Sequence, residues 1–124
     1  MNDFVNKDIA IILKRLGFDA FVFGRYLKDE FEYDCGNWNG YDNENIVSAP
    51  LYSQVFKWFR EKYNYDIEIG VSFGSVNYNT KVVDRKNYKF PYYPGSYVTY
   101  RECEVACLKQ LIEILENENN IKLG

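Results

Sequence analysis

The stretch SAPLYSQVFKWFREKYNYDIEIGVSF, Ser48 to Phe73, changes its hydrophobic period in the middle. Leu51, Val55, Phe59 and Tyr63 fall on one stripe, joined by Phe56 and Trp58, while Lys57, Arg60, Glu61 and Lys62 take the other side. That is the period of an amphipathic helix. Ser48 can cap it, and Pro50 suits a first turn whose N–H has no partner anyway. The spacing predicts a helix over 50–63. Phe56, Trp58 and Phe59 are too many large rings for one core. One of them is either an exposed interface anchor or, as the stronger reading, packed against the first helix. From Asp66 the pattern alternates instead, with Ile67, Ile69, Val71 and Phe73 set against Glu68, Gly70 and Ser72. This reads as a strand with one buried face.

Upstream, Val5, Ile9, Ile12, Leu13 and Leu16 have helical spacing and Gly17 stops the run, which predicts a first helix over 6–16. FDAFVFGRYL, residues 18–27, is rich in aromatic and β-branched side chains and reads as a strand. Lys28-Asp29-Glu30 turns the chain. Phe31, Tyr33 and Cys35 then alternate with Glu32 and Asp34 in a second, half-exposed strand. NWNGYDNENIVSAP, Asn37 to Pro50, shows no helix or strand pattern and exceeds the usual connection of about four to six residues. It is expected to form a loop over 36–49, partly ordered by Trp38 and Tyr41.

Downstream, Tyr78 to Asp84 reads as a strand, and Tyr88 to Tyr93 as a further candidate. KFPYYPGSY, Lys89 to Tyr97, holds two prolines and a glycine and is expected outside the sheet. Thr99 and Glu102 have capping-box spacing. A third helix follows to about Glu116, with Cys103, Cys107, Leu111 and Leu115 on one stripe, widened by Val105, Leu108 and Ile112. The tail from Asn117 is expected to fray. The order α-β-β-α-β-β-α predicts a small α+β single domain with an ordered core over about 5–116 and helices packed on an antiparallel sheet.

Composition bounds the function. The chain has 124 residues, 47% hydrophobic and 27% charged, which is globular rather than disordered and long enough for one core. No apolar run approaches the roughly 18 residues of a membrane span. The start, MNDFVNKD, lacks a signal-peptide layout, and three Cys without an export signal suit reduced thiols in a cytoplasm. The absence of His removes Ser-His-Asp and Cys-His catalysis, His-ligated zinc and the usual neutral-pH base. Net charge is −3 but unevenly spread. Asp29, Glu30, Glu32, Asp34, Asp42 and Glu44 lie in a stretch free of bases, whereas Lys81, Arg85, Lys86 and Lys89 cluster with only Asp84 among them.

Several constellations have more than one reading. Cys103 and Cys107 could seat a metal at i, i+4, but structural zinc wants four ligands and free Cys is commonly buried, so core packing is the stronger reading. Glu32, Asp34, Asp42 and Glu44 could hold Mg²⁺ in a nuclease-like site, guard a sheet edge, or offer an acidic surface to a basic groove. Gly70, Gly74 and Ser75 lack the Gly-Lys-Ser/Thr of a phosphate loop. Lys81, Arg85, Lys86 and Lys89 interleave with Tyr78, Tyr88, Tyr92 and Tyr93. That pattern suits single-stranded nucleic acid or is an ordinary basic hairpin.

Ile46-Val47-Ser48-Ala49-Pro50, followed by Lys57-Trp58-Phe59-Arg60-Glu61-Lys62-Tyr63-Asn64, resembles a family of small phage and prophage proteins of Bacteroidetes-type bacteria. RLGF at 15–18 and TYRECEVACLKQLIEIL at 99–115 fit the same family, and Glu102 matches its final helix. Leu51 departs from it, standing where Thr is common. The resemblance implies a phage or mobile-element origin and the cytoplasm of a bacterial host, but no activity and no catalytic residue. Size, acidity and origin together favour a non-enzymatic binding protein without cofactor or metal. The expected form is an inhibitor of a host defence complex, of the anti-CRISPR type, whose partner is an RNA-guided nuclease with its guide RNA. Partner contacts are then expected from Trp38, Tyr41, Asp42 and Glu44, with Glu32 and Asp34. As anchors, Trp38 and Tyr41 should be removable with little change in unfolding. The alternatives are a nucleic-acid-binding accessory protein using Lys81, Arg85, Lys86, Tyr88 and Lys89, and a metal-dependent nuclease using the four carboxylates.

Overall fold

The first helix, α1 (Lys7–Arg15), is set by its two ends. The Asn6 side chain accepts the Ile9 N–H at 2.9 Å. Gly17, at φ +91°, lets its own N–H reach the Lys14 carbonyl and the Phe18 N–H reach that of Leu13. This Schellman turn uses up Phe18, so β1 begins later than the aromatic run predicts, at Val22, and ends at Leu27. A computed structural model describes residues 3–71, 74, 76–87, 92–119 and 121.

The fold is α+β. β1 pairs antiparallel with β2 (Glu30–Gly36) on one side and with β3 (Ile46–Ala49) on the other, giving the order β2-β1-β3. A short 3-10 turn, Trp38–Gly40, links β2 toward β3. Helix α2 (Tyr52–Tyr63) follows. A second sheet holds β4 (Tyr65–Val71), β5 (Tyr78–Asp84) and β6 (Ser96–Tyr97), again antiparallel and in that order. The last helix, α3, runs Tyr100–Asn119. The chain divides into two compact units between Trp58 and Phe59, inside α2.

In the first unit α1 packs on β3, and Val5, Ile9, Ala10, Leu13, Phe18, Val22, Val47 and Ala49 are buried. Gly24 in β1 leaves room for the Phe31 ring of β2, because a Cβ there would lie 2.6 Å from it. Phe31 meets Phe4, Tyr26 and Tyr33 in tilted and edge-on contacts 4.8–5.7 Å apart. In the second unit α3 packs on the β4-β5-β6 sheet. Cys103, Cys107, Leu108, Leu111 and Leu115 are buried on it, as the stripe reading expects of both cysteines.

Five expectations are corrected. The Asn37–Pro50 segment is not a loop throughout, since Ile46–Ala49 pairs with Arg25–Leu27 and Gly24 as β3, and Val47, Ser48 and Ala49 are fully buried. Ser48 therefore caps no helix. Helix α2 starts at Tyr52, and the Gln54 side chain takes the Leu51 N–H at 3.0 Å. Residues 92–97 do not leave the sheet. Tyr92 and Val82 exchange backbone hydrogen bonds at 2.8 Å, and Ser96–Tyr97 pairs with β5. Pro94 falls between the two pairing points, where no ladder N–H is asked of it. Lys89 to Pro91 lie outside the described residues. Phe56, Trp58 and Phe59 are all buried, so none is an exposed anchor. Trp58 packs edge-on to Phe18 in the first unit, while Phe59 packs against Tyr63 in the second. Finally, α3 continues through Asn117 to Asn119, with the Tyr65 hydroxyl donating to Glu118.

Candidate interaction surfaces

The acidic residues of the first unit fall into two groups. In the β1–β2 pair Arg25 lies opposite Glu32. Its guanidinium reaches the Glu32 carboxylate at 2.6 Å and that of Asp34 at 3.3 Å. The same guanidinium lies 4.5 Å from the centroid of Trp38, a cation–π contact. The β1–β2 register shifts between Val22 and Gly24, so β2 carries an extra residue there. At that irregularity the Asp34 carbonyl accepts the Trp38 indole N–H at 2.9 Å. Trp38 is thus half-buried and bonded into the sheet, whereas Tyr41 stacks on it at 6.4 Å and stays 54% exposed.

Asp42 and Glu44 belong to the second group, at the C-terminal end of α1. Glu44 takes the Arg15 guanidinium at 3.0 Å. Lys14 donates to the carbonyls of Asn43 and Ile46 at 2.7 and 2.9 Å. Burial lowers the Lys14 pKa, with Glu44 and Asp42 acting against it. The four carboxylates of the nuclease reading are therefore not one ligand set. Among the described residues no group of three or more His, Cys, Asp or Glu side chains could hold a metal ion.

Amide side chains fasten the segment before β3. Asn39 donates to the Phe18 carbonyl and accepts the Ser48 N–H, both at 2.9 Å. Asn37 donates to the Asp19 carbonyl at 2.9 Å, and the buried Ser48 hydroxyl accepts the Trp38 N–H at 2.9 Å. The polar stretch thus meets part of its backbone hydrogen bonding with its own side chains.

Asp42 and Glu44 remain exposed, and so do the edge of β2 and the turn before it. Glu30 is exposed, and Asp29 has its side chain 93% exposed although Lys7 reaches it at 2.6 Å. That hydrogen bond, with the Lys7 charge, holds the Asp29 carboxyl below its ordinary pKa. Tyr33, on the opposite face of β2, is 68% exposed. Residues 1–58 carry nine acidic and six basic side chains, and residues 59–122 nine of each, so the net charge sits in the first unit.

In the second unit the basic residues do not form one bare patch. Lys81 is paired to Glu68 across β4 and β5 at 2.9 Å, and that bond raises its pKa. Arg85 and Lys86 are exposed in the turn after β5, where the Asp84 carboxylate accepts the Lys86 and Asn87 N–H groups at 3.1 Å. Tyr88 and Lys89 lie outside the described residues. Burial pushes the Cys107 thiol up to about 12 and raises that of Cys103. Both stay protonated at neutral pH and are poor metal ligands and nucleophiles.

Arg25 is the site residue that the acidic pattern alone does not reveal. Its signal is positional, since it is the sole basic side chain of FDAFVFGRYL and sits across from alternating carboxylates. Among the described residues no helix is long and apolar enough to cross a membrane. Comparison of the chain with protein-family models, with curated proteins and with solved structures finds no match.

Proposed function

We propose that this chain is a non-enzymatic binding protein that blocks a nucleic-acid-handling partner. In its concrete form it is a phage-encoded inhibitor of the anti-CRISPR type, acting on an RNA-guided nuclease in the bacterial cytoplasm. One observation carries the reading. β2 is a sheet-edge strand that presents Glu30 beside the acidic turn at Asp29, in the unit that holds the whole net negative charge. A basic groove built to follow a phosphate backbone is attracted to such an edge by the same long-range field. The resemblance of Ile46–Pro50, Lys57–Asn64 and Thr99–Leu115 to phage proteins supports a phage origin, for which a host defence complex is a natural partner.

Within this reading Trp38, Glu32 and Asp34 hold the edge in shape through Arg25, and Asp29, Glu30, Tyr33 and Tyr41 make the contact. The test is guide-directed DNA cleavage by a panel of purified CRISPR effectors, with the chain added in increasing amounts. Inhibition of one effector is expected, and Asp29→Asn with Glu30→Lys should relieve it, with only the small fall in Tm that loss of the exposed Lys7–Asp29 pair brings. No inhibition across the panel, or inhibition indifferent to the reversal, would reject the reading. The second reading, nucleic-acid binding, rests on the exposed Arg85 and Lys86. It gains if the chain alone binds single strands with a steep salt dependence.

A further inference from the structure

The face of the β4-β5-β6 sheet that carries Glu68, Gly70, Asn79, Lys81 and Ser96 holds a cleft of about 530 Å³, with Tyr93 along one side. This is within the range of about 300–1,000 Å³ usual for small-molecule sites. The register explains the hollow. Glu68 lies opposite Lys81, Gly70 opposite Asn79, and Asn79 opposite Ser96, so these residues share one face across three strands. Gly70 has no side chain, and a Cβ built on it meets nothing within 4 Å.

The polar groups are already in place. The Lys81 ammonium and Glu68 carboxylate lie 2.9 Å apart, and the Ser96 hydroxyl donates to the Asn79 amide oxygen at 2.6 Å. The Thr80 hydroxyl accepts the Gly95 N–H at 2.9 Å and fixes the segment that carries Tyr93. Tyr93 leaves 72% of its surface to solvent.

The chemistry selects a ligand. The carboxylate and the ammonium cancel, so the cleft has no net charge to offer an anion or a cation. Side by side, a carboxylate accepts hydrogen bonds and an ammonium donates them, which suits two adjacent hydroxyls, each able to do both. The phenol ring supplies an apolar surface for the C–H face of a saturated ring. We infer that this cleft binds a neutral ring bearing a vicinal diol, as in a hexose or in the ribose of a nucleoside. The diol bridges Glu68 and Lys81, and the ring lies against Tyr93. The site is in the second unit and does not rest on the inhibitor reading.

The test is an NMR titration of the ¹⁵N-labelled chain, following the amides of Gly70, Asn79, Lys81 and Ser96. The probes are glucose, galactose and mannose, then uridine and 2′-deoxyuridine, then inorganic phosphate. Saturable shifts with a hexose would assign a carbohydrate. Shifts with uridine but not with 2′-deoxyuridine would assign the ribose diol. Gly70→Leu puts a side chain into the space where a Cβ meets nothing within 4 Å and should weaken binding by at least about tenfold with little change in Tm. If that variant fails to fold, Tyr93→Ala carries the test with the same expected loss. The inference is overturned if phosphate alone shifts these amides, if no hexose binds and 2′-deoxyuridine binds as well as uridine, if no diol binds, or if the folded variant binds like the parent.

Discussion

At the Trp38 indole three interactions meet: the cation–π contact with Arg25, the hydrogen bond to the Asp34 carbonyl, and the stack with Tyr41. Removing the indole uncovers a carbonyl freed by the β2 irregularity and loosens the guanidinium that holds Glu32 and Asp34. Trp38→Ala should therefore destabilise the fold by about 2 kcal/mol, which lowers Tm by several degrees. Tyr41→Ala removes an exposed ring and should change stability by no more than about 0.5 kcal/mol. Chemical denaturation of the two variants checks this. Equal and negligible effects would return Trp38 to the class of free anchors. The acidic character of the edge was legible from the Asp29–Glu44 run. Its organisation was not, because an aromatic in a polar segment looks the same whether it faces a partner or its own sheet. The base that decides between them is Arg25, thirteen positions earlier, and only the strand register brings the two together.

At the scale of elements, α3 shows a local signal that suffices. The Thr99 hydroxyl accepts the Glu102 N–H at 3.1 Å, and Glu102 returns to the Thr99 N–H at 3.2 Å. Thr99→Ala leaves an unpaired first-turn N–H and should cost about 1 kcal/mol, with Thr99→Ser restoring most of it. Urea denaturation would measure both, and an unchanged midpoint for Thr99→Ala would mean water caps the helix equally well. Long periodic elements such as α1, α2, α3, β2, β4 and β5 were readable for the same reason, since period and caps are written locally. β3 was not. Four residues are too few to show alternation, and Ser48-Ala49-Pro50 carries a helix-start signature that pairing with β1 overrides. β6 was hidden by Pro94 and Gly95, which mark a departure from a sheet unless the chain rejoins it, as it does here at Ser96.

For the molecule as a whole, the lack of His fixes the shape of the stability curve. No ordinary side-chain pKa then lies between about 5 and 8. The shifted groups titrate outside that window. Asp29 is held below its ordinary 3.8, so its contribution is present above that value and fades as pH falls. Cys107 moves the other way, from 9.0 to about 12. An unfolded chain releases that proton near 9, while the folded chain keeps it, so the stabilisation is complete below 9 and lost as pH climbs toward 12. Cys103 and Tyr65, raised by burial, add to the same slope. Tm should be flat from about pH 5.5 to 8 and fall above 9. Cys107→Ala should make the alkaline fall shallower by up to about 1.4 kcal/mol per pH unit, one proton's worth. Calorimetric melts of both chains from pH 5 to 11 decide it. A slope inside the flat window would reveal a group other than an ordinary side chain titrating there, such as a carboxylate raised by burial or the terminal amine. Equal alkaline slopes in the two chains would show that the Cys107 proton does not distinguish the folded from the unfolded state.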